Sequence, residues 1–132
     1  MIRPVSARHV AAVLATVLAG SAPSLSASGP ERTPVEDIKS LMLAAIEAPD
    51  GRAKGTLSGQ VADALTQRFR GTSPVYIDVS TERRFAQPGC SRLQLRIWQE
   101  GVRLPGSREG RRQTIEIGIN YCRDGKPPRS LQ

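Results

Sequence analysis

Two stretches near the end of the chain decide the fold: CSRLQLRIW at residues 90–98 and TIEIGINYC at residues 114–122. In each stretch apolar and polar side chains alternate with a period of two, which is typical of a half-buried β-strand. If the two stretches pair in antiparallel fashion with Cys90 opposite Cys122, apolar residues also face apolar residues, and acidic residues face basic ones. Leucine and isoleucine face isoleucine, Arg96 faces Glu116, and Glu100 faces Arg112. A slip of one residue would break all of these matches, so the pattern predicts this register.

The same register predicts a disulfide between Cys90 and Cys122 at the open end of the hairpin. A bond that closes a loop of about 32 residues stabilises a domain by roughly 3–4 kcal/mol in the chain-entropy view. Disulfides persist in oxidising compartments, so the pair also indicates a protein that leaves the cytoplasm.

The residues before the hairpin show helical periodicity followed by one more strand. Thr33 and Glu36 form a capping box around Pro34, which predicts a first helix over residues 34–47. Residues 51–59 are rich in glycine and predict a loop, and Val61, Leu65 and Phe69 predict a second helix over residues 58–70. Alternation over residues 75–80 predicts a strand. The predicted fold class is therefore α+β, with two N-terminal helices packed on a three-stranded antiparallel sheet clasped by one disulfide.

The first residues have the order of a secretory signal. Arg3, Arg8 and His9 precede an apolar run at residues 10–19, and a zone of small residues follows. The run is too short to cross a hydrocarbon core of ~30 Å as a helix. We expect a signal peptide at residues 1–27 and a single α+β domain with a short tail at residues 28–132. The mature protein is then periplasmic or secreted in a bacterium, with no stable membrane span.

The sequence offers little for catalysis. The only histidine, His9, lies in the predicted signal, which removes Ser–His and Cys–His chemistry and most transition-metal sites from the mature chain. We predict no catalytic residues, no metal and no cofactor. Carboxylate-only catalysis on the cell wall stays open as an alternative, with four candidates: Asp78, Glu82, Glu100 and Glu116.

The basic composition favours an anionic partner. The net charge is +7, which suits an envelope protein with an acidic surface, and export argues against cytoplasmic nucleic acid. Trp and Arg are enriched at binding hot spots. We therefore expect the binding residues to be Arg96 and Trp98 on the polar sheet face with Arg103 and Arg108 in the adjoining loop. In the alternative, the tail at residues 122–132 folds over Trp98. Oligomeric state does not follow from the sequence.

Three segments carry a resemblance to a group of proteins: YIDVST at residues 76–81, QPGCSRL at residues 87–93 and INYCRDGKPP at residues 119–128. They are similar to segments of small exported accessory proteins of proteobacterial conjugative plasmids and integrative elements. The resemblance implies a non-enzymatic periplasmic role in conjugative DNA transfer or type IV secretion. A secreted inhibitor or immunity-type protein that blocks a partner enzyme is the alternative.

The order of the first 28 residues makes processing testable. We expect the mature protein to begin near Ala27 or Ser28, because the small-residue zone that a signal peptidase reads ends there. N-terminal sequencing of periplasmic material measures this. Recovery of an intact Met1 in the membrane fraction would contradict it.

Overall fold

The computed structural model describes Gly20 and residues 31–132. The predicted signal peptide and its cleavage zone lie, apart from Gly20, outside the described residues. Seven elements follow in chain order: β1 (Thr33–Val35), α1 (Ile38–Glu47), β2 (Arg52–Leu57), α2 (Gln60–Phe69), β3 (Val75–Arg84), β4 (Cys90–Val102) and β5 (Arg111–Cys122). The strands form one sheet in the order β1-β2-β3-β4-β5.

The predicted architecture of two helices on a three-stranded antiparallel sheet is wrong. The sheet has five strands and is mixed, because β1 and β2 pair in parallel while all other neighbours are antiparallel. The two extra strands come from residues 33–35, predicted as the start of a helix, and residues 52–57, predicted as a loop. Both strands are too short, or too poor in β-branched residues, to show alternation in the sequence alone.

Helix α1 connects the two parallel strands and lies over β2 and β3. It begins later than predicted, because Asp37 rather than Thr33 caps it by accepting a hydrogen bond from the Lys39 N–H. Its apolar stripe is buried against the sheet: Leu41, Met42, Ala45 and Ile46. Helix α2 lies within its predicted bounds. Its C-cap is Arg70, which takes a left-handed backbone with φ of 52°.

Gly55 explains why the sequence pattern did not predict strand β2. A Cβ atom at this position would lie 2.6 Å from Leu41 Cδ1 and 2.9 Å from the Thr33 carbonyl oxygen. The glycine that weakens the strand pattern is therefore what lets α1 approach the sheet, a recognised reason for glycine inside a strand.

The hairpin of β4 and β5 has the predicted register. Cys90 pairs with Cys122, Leu93 with Ile119, and Arg96 with Glu116. The Cys90–Cys122 disulfide is present, with the two Cα atoms 4.0 Å apart. An irregularity between Gln99 and Val102 shifts the last pair of the ladder, yet Glu100 and Arg112 still form an ion pair.

The helices cover one face of the sheet and leave the other open. Ile77, Val79 and Leu93 are the most buried large side chains of the core between helices and sheet. Coverage of the edge strand β5 is partial: Ile119 and Tyr121 pack against the core, but Ile115 and Ile117 stay 60% and 44% exposed on the helix side. We call the opposite side, which carries Tyr76, Asp78, Arg96 and Trp98, the open face.

The close approach at Gly55 predicts the effect of a side chain there. Gly55→Val should lower the free energy of unfolding by about 1–3 kcal/mol, because Leu41 is buried and the Thr33 carbonyl cannot move aside cheaply. Lys54→Val, on the same strand but exposed on the other side, is the control and should change little. Chemical denaturation measures both, and equal stability of the two variants would contradict the packing of α1.

Candidate binding site

Arg32 organises the aromatic residues of the open face. Its guanidinium carbon lies 5.0 Å from the ring centre of Tyr76 and 4.8 Å from that of Trp98. The two rings are themselves 5.4 Å apart, and Arg96 lies 5.6 Å from Trp98. These are the distances of cation–π and tilted aromatic contacts.

Polar contacts also hold the same guanidinium. Arg32 Nη1 donates to the Gly55 carbonyl at 3.2 Å and lies 3.0 Å from Asp78 Oδ1. That carboxylate oxygen is buried and accepts no aligned hydrogen bond from any described residue, so the ion pair is its main compensation. Arg32 therefore links the segment before β1 to the centre of the sheet.

The alternative that the C-terminal tail covers Trp98 is wrong. The tail lies by the β3–β4 connection instead, where the Arg129 N–H donates to Gln87 Oε1 at 2.8 Å and the Ala86 N–H donates to the Gln132 carbonyl at 2.7 Å. Trp98 is half-buried under Arg32. Arg32 and Arg96 both contact its ring.

A groove opens where α2 faces the far ends of β4 and β5. We call it the α2–β5 groove; it has a volume of about 230 Å³. The exposed surface of its lining is mostly apolar. The apolar residues come from α2, from strands β3, β4 and β5 and from the loop after β4: Leu65, Phe69, Val75, Ile97, Trp98, Val102, Leu104 and Ile115. It exists because the helices leave the part of β5 around Ile115 uncovered.

Four arginines border this groove at its outer end, in an adjoining depression of about 510 Å³ that shares Phe69 and Leu104 with it. We call them the arginine rim: Arg68, Arg70, Arg103 and Arg108. All four are exposed. Within residues 31–132, none of them forms an ion pair with a carboxylate. The rim is thus a concentration of positive charge without internal neutralisation.

Hydrogen bonds hold the rim in place. The Arg103 N–H donates to the Phe69 carbonyl at 2.9 Å and the Thr72 N–H donates to the Glu100 carbonyl at 2.9 Å. Buried Gln99 donates to Thr66 Oγ1 and to the Ser73 carbonyl. These bonds tie the end of α2 to the end of β4, so little backbone ordering remains for a ligand to impose.

The four predicted binding residues fall into two places. Arg96 and Trp98 lie on the open face, whereas Arg103 and Arg108 belong to the arginine rim. Trp98 also contributes to the lining of the α2–β5 groove. Sequence reasoning missed Arg68, Phe69 and Arg70 as site residues. Two arginines flanking an aromatic residue at the end of a helix were the available signal.

The four candidate catalytic carboxylates all have arginine partners: Asp78 with Arg32, Glu82 with Arg92, Glu100 with Arg112 and Glu116 with Arg96. Asp78 and Glu116 line one depression of the open face, which also contains Arg52, Lys54 and Arg96, whereas Glu82 and Glu100 do not line it. Among residues 31–132 and Gly20, no group of three His, Cys, Asp or Glu side chains could hold a metal ion.

Comparison with known proteins gives no match: no protein-family model, no curated protein and no solved structure is similar to the chain. In the part of the chain that the structure describes, no helix is long and apolar enough to cross a membrane. A disulfide is typical of an oxidising compartment outside the cytoplasm.

The contacts of Arg32 generate a prediction about stability. Arg32→Ala should lower the free energy of unfolding by about 1–3 kcal/mol, because it leaves a buried carboxylate oxygen of Asp78 without a partner. Trp98 is the only tryptophan, so its fluorescence should shift to the red in the folded variant as the ring gains water.

Arg83→Ala is the matched control. Arg83 also lies over an aromatic ring, 5.5 Å from the centre of Phe85, but it is exposed. Its loss should change neither stability nor tryptophan emission appreciably. An unshifted emission spectrum for Arg32→Ala would show that Arg32 does not shield the ring.

Proposed function

We propose that the protein is a non-enzymatic binding module that holds an acidic, partly apolar segment of an envelope protein in the α2–β5 groove. The observation that carries this proposal is the junction of an apolar groove with four exposed arginines that have no carboxylate partner among the described residues. An apolar groove favours a ligand with apolar side chains that can be buried in it. A positively charged rim favours a negatively charged ligand and increases its association rate.

The non-enzymatic part of the proposal rests on how the carboxylates are used. Each candidate acid or base already faces an arginine, and the two that share a depression, Asp78 and Glu116, are among basic side chains there. General acid–base work needs at least one carboxyl group poised beside a substrate site. The α2–β5 groove contains none in its lining.

We also propose a bacterial periplasmic or secreted location, and a role as an accessory of a conjugative DNA-transfer or type IV secretion apparatus. The location is supported by the disulfide and by the signal-like order of residues 1–27. The assignment to a transfer apparatus rests on the resemblance of residues 76–81, 87–93 and 119–128 to exported accessory proteins.

Binding can be measured with a defined probe. A short labelled peptide of Leu and Glu in amphipathic order should bind the purified protein, and a Leu and Lys peptide of the same order should not. Arg103→Glu with Arg108→Glu should weaken binding of the Leu and Glu peptide by about tenfold or more, because repulsion replaces attraction at the rim. Leu104→Ser should weaken it as well. Fluorescence anisotropy reports each affinity.

The control is Arg52→Glu with Arg129→Glu, which makes the same change in net charge away from the groove. It should preserve most of the affinity. Equal loss in both double variants would show that only net charge matters and would contradict a site at the groove. Affinity capture from an envelope extract with the same variants then identifies the partner. A single soluble enzyme retained through the groove would favour the inhibitor alternative over an accessory of a multi-protein apparatus.

A further inference from the structure

Strand β5 is a long, unprotected edge of the sheet. It spans Arg111–Cys122, and within residues 31–132 its only neighbouring strand is β4, on one side. Soluble proteins usually protect such edges with proline, lysine or a bulge. Residues 113–122 contain neither proline nor lysine, and the ladder irregularity lies before them, between Gln99 and Val102.

The disulfide shows which backbone groups point outward from this edge. Cys90 and Cys122 form a non-hydrogen-bonded pair: their Cα atoms are 4.0 Å apart, and the Cys122 N–H donates to the Lys126 carbonyl instead. Hydrogen-bonded and non-hydrogen-bonded pairs alternate along an antiparallel ladder. Thr114, Glu116, Gly118 and Asn120 therefore direct their N–H and C=O groups away from β4, toward the free edge.

In one antiparallel register of β5 against β5 of a second copy, apolar side chains face apolar side chains. With Ile117 on the two-fold axis, Ile117 faces Ile117 and Ile115 faces Ile119 of the second copy. All three isoleucines of each strand then lie on the helix side, where Ile115 and Ile117 are exposed. The outward backbone groups meet as hydrogen-bonded pairs, Glu116 with Gly118 and Thr114 with Asn120.

The positions of the charged side chains favour this register over the two registers whose axes lie at the adjacent residues. Arg92 extends over Gly118, where a Cβ atom would overlap its guanidinium, and donates to Asn120 Oδ1 at 3.2 Å. An axis at Glu116 would oppose two carboxylates, and an axis at Gly118 would oppose two Arg92 side chains. With the axis at Ile117, Glu116 of each copy faces Gly118 of the other and meets the Arg92 that lies over it. Opposite charges across strands stabilise a sheet and like charges destabilise it.

We propose that two copies of this chain pair through β5 about a two-fold axis at Ile117, joining their sheets into one continuous sheet. The pairing satisfies the free backbone groups of both edges and brings six isoleucines together on one face. It also adds an Arg92–Glu116 ion pair on each side of the axis. The surface does not include the arginine rim, but it adjoins the α2–β5 groove, because Ile115 lies both in the paired edge and in the lining of the groove.

Cysteine cross-linking tests both the dimer and its register, because the native cysteines are already paired. Ile117→Cys should form an intermolecular disulfide under mild oxidation, since the two Cα atoms face each other across the axis. Ile115→Cys is the matched control on the same strand and face. Its two copies would lie about 13–14 Å apart along the strands, too far to bond. Non-reducing gel electrophoresis over time measures both.

Sedimentation of the purified full mature chain gives the second measurement. Glu116→Arg should raise the dimer dissociation constant by about tenfold or more, and adding Arg92→Glu to it should restore much of the loss by reversing the pair. Glu47→Arg, exposed at the end of α1, makes the same charge change away from the edge and should leave the dimer intact. The thermal unfolding of each variant shows that it is folded.

The outcomes decide the proposal. Rapid cross-linking of Ile117→Cys with none for Ile115→Cys supports it. Equal cross-linking of the two variants, or cross-linking of Ile115→Cys alone, overturns the register. A chain that sediments as a monomer at every concentration overturns self-pairing. Loss of dimer in Glu47→Arg as strongly as in Glu116→Arg would show an effect of net charge and would also overturn it.

Discussion

The pairing of β4 with β5 is the constraint on which the rest of the structure depends. It is the longest ladder in the sheet and is closed at one end by the Cys90–Cys122 bond. A disulfide across about 32 residues removes much of the entropy of the unfolded hairpin, roughly 3–4 kcal/mol, which is a large share of a small domain's stability of about 5–15 kcal/mol. With β4 fixed, β3 adds to its other side through Tyr76–Trp98, Ile77–Ile97 and their neighbours.

The placement of α1 determines where the protein presents surface to solvent and partners. Gly55 allows the helix to sit close over β2 and β3, and Leu41 fills the space that a side chain would take. Because α1 packs mainly on β2 and β3 and α2 ends at Phe69, two isoleucines of β5 stay exposed. The α2–β5 groove and the exposed isoleucines of β5 are thus two consequences of one packing arrangement. A helix packed over this end of β5 would remove both.

Arginine serves three different purposes in this chain. Arg32 is structural, since it joins Asp78 to two aromatic rings at the centre of the open face. Arg92, Arg96 and Arg112 pair with carboxylates of neighbouring strands and fix charge along the hairpin. The arginine rim has no such internal partner among the described residues, which is why it is the stronger candidate for recognition. A high net charge does not by itself separate these uses; the positions of the acidic neighbours do.

The sequence by itself determined the hairpin register, the disulfide and the approximate positions of both helices, because these follow from local period and from matches between two alternating strands. Tertiary structure alone decided that residues 33–35 and 52–57 are strands, since a three-residue strand and a strand built around Gly55 gain their stability from α1 and β3 rather than from their own pattern. It also decided that Arg32, rather than the tail, covers Trp98, and that Arg68 and Arg70 join Arg103 and Arg108. Contacts between residues far apart in the chain depend on the order of the strands in the sheet. The periodicity of a single sequence does not determine that order.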